Sequence, residues 1–439
     1  MSTPTTGSST EATPTPPSED HPEEQTKHGP SGQAALLRQV ASSPAVVGLL
    51  AVLTALILSS ILILAADSEV RYTATYLLNR PGDFLHATAS TLSEAYSSLL
   101  RGAVFDWRAT TGVRMIRPIT DTLTNATPLI IAGLGMAVAF RAGLFNIGGQ
   151  GQMILGAITA CYVGIAWNLP PVAHLLVAVV GAALGGLVWG GIAGVLKART
   201  GANEVIVTIM LNSIAAHLLS QVLSLKAFNG EGETGNRKSL TVADAAQYPS
   251  LAGDSFRLHA GFLLALLVAV AVWWLMERSR LGFQLRATGL NADAARTAGM
   301  SVPWVTSLVM MISGALCGLA ATAPVLGTQK SMDESVVGTI GFDAITVALL
   351  GRSRPLGTVL AGLLFGALRA GGTAMQAAPG THIKIVLVLQ STIVLFIAAP
   401  PLIRAIFRLP ERRDTLGGTA PSPASVPAAA PAAPAAKEA

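Results

Sequence analysis

Residues 172–196 read VAHLLVAVVGAALGGLVWGGIAGVL, a run that contains no Asp, Glu, Lys or Arg. An α-helix rises about 1.5 Å per residue, so roughly 20 apolar residues cross the ~30 Å hydrocarbon core of a bilayer. The run is long enough for one crossing, and its many glycines are typical of helices that pack closely inside a membrane. This stretch therefore predicts a transmembrane helix.

The composition extends this prediction to the whole chain. Of 439 residues, 51% are hydrophobic and only 12% are charged, whereas about 25% of a typical soluble domain is charged. A soluble surface needs charged groups and a lipid-facing surface cannot carry them. We therefore expect an all-α integral membrane protein. The net charge of +5 lies mostly between apolar runs and lacks interleaved aromatic residues, so a nucleic-acid partner is not expected.

Other apolar runs bring the expected total to about ten transmembrane helices, and several are short or interrupted by glycine, as in broken or re-entrant helices. The ten runs lie near residues 45–66, 122–140, 146–167, 172–196, 203–223, 259–276, 303–326, 336–350, 357–375 and 383–403.

The positions of Lys and Arg predict the orientation, because these residues stay on the cytoplasmic side of short loops. With the N-terminus inside, a consistent set of basic residues faces the cytoplasm, and an even number of spans places both termini there. That set is Arg141, Lys197, Arg199, Arg278, Arg280, Arg286, Arg296, Arg352, Arg354, Arg404, Arg408, Arg412 and Arg413.

The same patterns divide the chain into regions. We predict a transmembrane domain over 33–404, with extracytoplasmic loops at 67–121 and 224–258 and a cytoplasmic loop at 277–302. Residues 1–32 are rich in Ser, Thr, Pro and Glu, and residues 405–439 are rich in Ala and Pro. Such compositions bury too little apolar surface to fold, so we expect a disordered cytoplasmic head and a low-complexity cytoplasmic tail.

The segment FRAGLFNIGGQGQM, residues 140–153, places Asn146, Gln150 and Gln152 among glycines at the start of an apolar run. Glycines at this density predict a break in the helix. Backbone groups freed at membrane depth are tolerated only inside protein or along a wet cavity. The amides are therefore candidates for a substrate pathway. The alternative is a glycine-lined packing seam in which Asn146 caps the next helix.

The segment GANEVIVTIMLN, residues 201–212, supplies three more candidates for the pathway. Asn203 and Glu204 also fit an ordinary helix start, with Asn203 as the N-cap and Glu204 in the first turn. Asn212 lies more than two turns into the expected span, where its amide needs a hydrogen-bond partner or water.

In the second half, GTIGFDAIT at residues 338–346 places Asp343 in an otherwise uncharged run flanked by glycines. An ionisable residue at membrane depth is a functional candidate. Two glycine-interrupted polar segments in the two halves of a chain are typical of a central transport pathway. The alternatives are that Asp343 caps a helix or pairs with a neighbouring helix.

Within the expected cytoplasmic loop, NADAARTAG at residues 291–299 has the features of a short independent helix. Asn291 is placed to cap its start, Asp293 lies in the first turn, Arg296 lies near the end, and Gly299 suits a left-handed position after it. A two-turn helix is marginal in water, so packing must hold it. It is either a connector or a docking element for a cytoplasmic partner.

Other kinds of site lack support in the sequence. Cys161 and Cys317 each lie in an apolar run, the histidines show no metal-binding spacing, and neither a disulfide nor a metal site is expected. We do not expect a secretory signal, because the N-terminal residues lack a basic region that leads into a short apolar core and a cleavage site. The chain has no G-x-x-x-x-G-K-[ST] loop, so we expect it to bind no ATP or other cofactor itself, to have no catalytic residues and not to be an enzyme.

The chain resembles the permease family of ABC importers that serves branched-chain amino acids, ribose-type sugars and nucleosides, and it is most similar to the nucleoside (guanosine and purine nucleoside) branch. The matching segments are FRAGLFNIGGQGQMILGA, ANEVIVTIMLN, LRATGLNADAARTAGM and GFDAITVALLGRSRPLG. The resemblance covers most of the chain from about Thr122 to Leu402.

This resemblance implies a multi-pass subunit of the bacterial inner membrane that works with several partners. They are a second, homologous permease, two cytoplasmic ATPases that use ATP and Mg²⁺, and an external substrate-binding lipoprotein. Amides such as Asn146, Gln150 and Asn212 would face a nucleoside and Phe145 would stack on its base. The expected ATPase-coupling helix contains Asn291, Asp293, Ala294, Ala295, Arg296 and Gly299.

Three other functions remain open from the sequence. A permease for ribose or another simple sugar would use the same fold and similar amides. An ion-coupled secondary transporter would use Asp343 or Glu204 as its coupling charge and need no ATPase. A purely structural membrane scaffold would transport nothing.

Overall fold

The computed structural model describes residues 44–229, 237–253, 255–377, 391–392, 395–396 and 400–408, and within these ranges the chain is almost entirely helical. The helices are α1 Pro44–Ala66, α2 Ser68–Ala74, α3 Pro81–Ala103, α4 Gly112–Arg141, α5 Gly149–Ala166, α6 Pro171–Thr200, α7 Glu204–Leu223, α8 Lys226–Asn229, α9 Gly261–Arg278, α10 Arg280–Leu290, α11 Ala292–Thr297, α12 Val302–Ala320, α13 Ile340–Leu350, α14 Pro355–Ala377 and α15 Pro400–Ile406. A 3₁₀ turn, Asp244–Ala246, and a π-helical turn, Ala323–Thr328, complete them. The described ranges hold two isolated β-bridges and no strand.

Six helices in these ranges are long and apolar enough to cross a membrane: α4, α6, α7, α9, α12 with the π-helical turn after it, and α14. α1 and α2 form a seventh candidate, bent by 78°. The prediction of ten spans is not confirmed. α5 starts with two glutamines that lower its hydropathy, and α13 has only 11 residues. The expected span at 383–403 falls largely outside the described ranges.

α4 lies at the centre of the bundle and packs against α9, α12, α13 and α14. Its residues Leu129, Ile130 and Ile131 are fully buried. α6 lies further out and presents an apolar stripe that no described residue covers. Val172, Leu176, Val180, Leu184 and Val188 recur every four residues and are each more than half exposed. A stripe of this kind suits contact with lipid or another membrane helix, since soluble monomers rarely expose long apolar patches.

Residues 67–121 do not form the loop expected from the sequence, because α2, α3 and the first turns of α4 occupy most of them. α3 packs closely on α14, where an added Cβ on Gly102 would lie 2.2 Å from the Cβ of Ala374. Its Ser, Thr and Glu residues give it too little hydropathy to register as an apolar run, although one face is buried. Its extracytoplasmic position stays a prediction.

The expected inner loops meet at one end of the bundle. Arg141 donates to Glu277 at 2.8 Å and to the Ser353 carbonyl oxygen at 3.1 Å. At the opposite end, the segment expected to be an outer loop pairs with the chain after α12. The Ser239 and Tyr248 amides donate to the carbonyl oxygens of Met332 and Leu326 at 2.7 and 2.9 Å. Residues 224–258 therefore form an ordered cap wherever they are described. Which end of the bundle faces the cytoplasm stays a prediction, and residues 1–43 and 409–439 fall outside the described ranges.

Glycines bring α6 and α12 into direct backbone contact. An added Cβ on Gly186 would lie 2.2 Å from the Gly314 carbonyl oxygen, and one on Gly318 would lie 2.2 Å from the Ala182 carbonyl oxygen. No side chain fits at these distances, so this seam depends on glycine.

We expect Gly186→Ala to lower the stability of the detergent-solubilised protein by about 1–3 kcal/mol, because the added methyl group must push α12 away. Size-exclusion chromatography after heating checks this. Gly181→Ala is the matched control on the same helix, since its Cβ would meet Val163 at an ordinary 3.5 Å. Equal stability of the two variants would contradict the tight seam.

Candidate functional site

The helix break expected after Phe140 is present. α4 ends at Arg141 and α5 begins at Gly149, with non-helical chain between them. Gly143, at φ 72°, adopts the left-handed conformation that favours glycine as the chain leaves α4. The backbone groups of this segment have left the helical ladder and need other partners.

Asn146 supplies one of these partners and is itself fully buried. Its Oδ1 accepts from the Gly148 amide at 2.9 Å, and its Nδ2 donates to Gln152 at 2.9 Å and to Ser313 at 2.8 Å. Gln152 donates back to Asn146 at 3.1 Å. The reciprocal amide pair joins the break to α5, and the bond to Ser313 joins it to α12. Asn146 and Gln152 thus have protein partners, and each is at most 1% exposed.

Asn212, on α7, secures the same break from the other side. Its Oδ1 accepts from the Gly151 amide at 2.8 Å, and its Nδ2 donates to the Ile147 carbonyl oxygen at 2.9 Å. Asn212 lies deep in the span, where its amide needs hydrogen-bond partners. The backbone groups freed by the helix break provide them. One side chain satisfies one donor and one acceptor that the broken helix leaves without helical partners.

Gln150 connects the two polar segments predicted from the two halves of the chain. Its Nε2 donates to the Gly338 carbonyl oxygen at 2.7 Å, and its Oε1 accepts from the Gly341 amide at 3.2 Å. An added Cβ on Gly341 would lie 2.5 Å from the Gln150 backbone. The two segments are therefore in direct contact at the starts of α5 and α13.

Asp343 lies in the first turn of α13 and pairs with Arg369 of α14. Thr339 joins them, donating to Asp343 at 3.1 Å and accepting from Arg369 at 2.9 Å. The side chains of Asp343 and Arg369 are 24% and 23% exposed. Of the interpretations open from the sequence, pairing with a neighbouring helix describes this contact.

Arg369 and Ser313 complete the polar region, and the sequence analysis missed both. Arg369 had a usable signal, since it is the only charged residue in the apolar run 357–375 and such a residue requires a partner. Ser313 had none, because serine is common at helix contacts in membranes.

Asn203, Glu204 and Phe145 lie outside this network. Asn203 caps α7 by accepting from the Val205 amide at 2.9 Å, and Glu204 pairs with Lys197 near the end of α6. The Phe145 ring is 44% exposed and packs on Phe140 with ring centroids 4.8 Å apart. A pathway role for these three residues stays a prediction.

The short helix expected at 291–299 is confirmed as α11. Asn291 Oδ1 accepts from the amides of Asp293 and Ala294, each at 3.0 Å. Gly299 has φ 82° after the last turn, and the Met300 amide donates to the Ala295 carbonyl oxygen at 3.0 Å. Ala295 is buried while Asp293, Ala294 and Arg296 are exposed. α11 thus has one packed face and one open face at the Arg141 end of the bundle.

The described ranges contain no group of three His, Cys, Asp or Glu side chains that could hold a metal ion. Cys161 and Cys317 are buried and form no disulfide, and the Cys161 thiol donates to the Ser239 hydroxyl at 3.4 Å.

Comparison with known proteins gives a family match. The model of the family described as "Branched-chain amino acid transport system / permease component" matches residues 119–398. The chain is 39% identical to a guanosine ABC transporter permease protein of Bacillus subtilis, over 66% of this chain and 83% of that protein. It is 36% identical to a glucose ABC transporter permease protein of Haloferax volcanii, over 70% of this chain and 82% of that protein. It is 35% identical to a nucleoside ABC transporter permease protein of Lactococcus lactis, over 64% of this chain and 79% of that protein.

The Asp343–Arg369 pair predicts a stability change that depends on both partners. We expect Asp343→Asn and Arg369→Gln each to cost about 2 kcal/mol, because each leaves a half-buried charge without its partner. The double variant should recover part of that loss, since it leaves neither charge. Thermal unfolding in detergent measures all three.

A second pair offers a matched control. Arg237 and Glu334 also form an ion pair, but their side chains are 59% and 53% exposed. We expect Glu334→Gln to change stability by less than about 1 kcal/mol. Additive losses in the Asp343/Arg369 double variant would show that the two residues act independently.

Proposed function

The chain belongs to the permease-component family of branched-chain amino acid transport systems, and we propose that it is a membrane-spanning ABC importer subunit that translocates nucleosides. The observation that supports this substrate most directly is the similarity to the guanosine and nucleoside permeases, each covering more than three quarters of the relative. The segments that suggested the nucleoside branch, near Asn146, Asn212, Asn291 and Asp343, all lie within the family match.

We further propose the assembly in which it works. A second permease subunit would pair with it in the inner membrane of a bacterium, two cytoplasmic ATPases would supply energy from ATP and Mg²⁺, and an external lipoprotein would deliver the nucleoside. The exposed apolar stripe on α6 is a surface that lipid or the second permease would cover. This chain contributes no ATPase motif, so its own role is to provide and move the pathway.

The polar residues divide into two proposed roles. The first role is structural, because the hydrogen bonds of Asn146, Gln152 and Asn212 stabilise the helix break. These residues would hold the wall of the pathway in a fixed conformation. Gln150 joins the starts of α5 and α13, and the Asp343–Arg369 pair joins α13 to α14, so small displacements of α13 would change which of these polar groups are free for a solute. Weak contacts suffice here, because a solute held tightly inside the membrane would not be released.

α11 is the proposed contact for an ATPase subunit. Its open face carries Asp293, Ala294 and Arg296, while its packed face holds it to the bundle. The preceding helix, α10, lies against the break itself, since an added Cβ on Gly289 would lie 2.5 Å from the Arg141 carbonyl oxygen. This contact offers a short route from an ATPase to the pathway.

A sugar is the second candidate substrate, and the glucose permease of Haloferax volcanii is the specific observation in its favour. Both candidate substrates carry several hydroxyl groups, so similar amides would serve either. An ion-coupled mechanism gains less support, because its proposed coupling carboxylates, Asp343 and Glu204, each have a basic partner.

The test of this proposal is uptake of labelled guanosine and labelled ribose by cells with and without the gene. We expect guanosine uptake to fall to background without the gene, and to fall equally when ATP is depleted, while ribose uptake does not change. Loss of ribose uptake alone would move the substrate to the sugar class. Uptake that survives ATP depletion but collapses with the ion gradient would contradict the ABC mechanism.

Capping of α11 gives a second prediction. Asn291→Ala removes the acceptor for two amides, which costs about 0.5–2 kcal/mol of helix stability, and we expect slower ATP-driven uptake from a normally folded protein. Asn291→Asp keeps a capping oxygen and should retain uptake. Transport rate and amount of protein in the membrane are measured together. Equal uptake by the two variants would argue against coupling through a capped α11.

A further inference from the structure

A polar cavity of about 260 Å³ lies beside the contact between the starts of α5 and α13, which belong to the two halves of the chain. The function proposed above does not use this cavity. We call it the outer cavity. α4, the π-helical turn, the chain before α13, and α14 form its walls. Its polar lining includes Asp121, Asn125, Arg257, Gln329, Ser335 and Arg369.

The outer cavity borders the proposed pathway directly. Gly338 lines it, and the carbonyl oxygen of Gly338 accepts the hydrogen bond from Gln150. Arg369 also lines it and pairs with Asp343. A solute in the cavity would therefore lie next to the contact that joins α5 to α13 and next to the ion pair that joins α13 to α14.

Asp121 is a carboxylate on the wall of this cavity whose hydrogen bonds are incomplete. Its Oδ1 is buried and has no hydrogen-bond partner among the described residues. Its Oδ2 lies 3.7 Å from Arg117 Nε, which is too long for a hydrogen bond. An ionised carboxylate only accepts hydrogen bonds, and a buried acceptor without a donor is costly. The site therefore favours a ligand that brings donors.

The remaining lining residues narrow the chemistry of that ligand. Arg257 and Arg369 carry guanidinium groups, which only donate, so the ligand must also accept. A hydroxyl group does both. None of the residues that line the cavity is aromatic, whereas nucleobases are commonly held by stacking on aromatic rings. This lining suits a sugar better than a base.

We propose that the outer cavity is a binding site for the ribose hydroxyls of the transported nucleoside, with Asp121 as acceptor and Arg257 and Arg369 as donors. This inference rests on the proposed nucleoside function. Asp121 and Asn125 lie one turn apart on α4, and Asn125 Nδ2 donates to the Asp121 carbonyl oxygen at 2.9 Å. That bond to the main chain fixes the orientation of the Asn125 amide on the cavity wall.

Labelling of one introduced cysteine tests the site in cells that contain the whole transporter. Ser335→Cys places an exposed thiol on the lining, whereas both native cysteines are buried. We expect a membrane-impermeant maleimide to label it from outside. Guanosine at about ten times its Kd should slow labelling about elevenfold. Free ribose at sufficient concentration should protect as well, and guanine should not.

Two variants control this experiment. Asp121→Asn combined with Ser335→Cys should label at the same rate without ligand and lose the protection by guanosine. Ser68→Cys is an exposed position outside the cavity, so guanosine should not change its labelling. Equal protection of Ser68→Cys would mean that guanosine acts at a distance, which would overturn the site.

The outcomes separate this inference from the proposed function. If guanosine uptake requires the gene but neither guanosine nor ribose slows labelling, the site is overturned and the nucleoside function stands. Protection by guanine without ribose, or a thiol that the maleimide never reaches, overturns the site too. If guanosine uptake does not require the gene while free ribose still protects, the nucleoside function fails and the hydroxyl site stands.

Discussion

The need to satisfy free backbone groups inside an apolar bundle governs the centre of this protein. Where α4 stops and α5 has not begun, the amides and carbonyls between them have no helical partners, and lipid would offer none. Asn146 and Asn212 provide hydrogen-bond partners for these groups from inside the bundle. Asn146 also donates hydrogen bonds to Ser313 and Gln152. The break is therefore held on several sides, which allows a non-helical segment to persist within a helical membrane protein.

Close packing at glycine makes this arrangement geometrically possible. The starts of α5 and α13 come together because Gly341 lies against the backbone of Gln150, leaving no space for a side chain. Only at that separation does the Gln150 amide reach both Gly338 and Gly341. Glycine and glutamine thus depend on each other, because the glycine permits the approach and the amide satisfies the polar groups that the approach buries.

The sequence predicted the features that depend on a few neighbouring residues. It did not predict contacts between segments that are far apart in the chain. The break at Asn146, the cap at Asn291 and the left-handed Gly299 follow from residue types over a few positions, and all three are present. The partner of Asp343 is 26 residues away on another helix, and no local pattern identifies it. α3 was missed for a different reason, since it is a helix with one buried face and too many polar residues for a hydropathy search.

The contact between Gly143 and Gly289 bears on how energy from a partner would enter this chain. An added Cβ on Gly143 would lie 3.2 Å from Gly289 Cα, so α10 lies on the first residues of the break. α11 follows α10 after a single residue, Asn291. A force on the open face of α11 would therefore reach the break through backbone contacts, which transmit displacement better than flexible side chains do. Because Asp343 and Glu204 are each paired with a basic residue, this mechanical route would account for the proposed coupling to an ATPase more simply than a titrating carboxylate would.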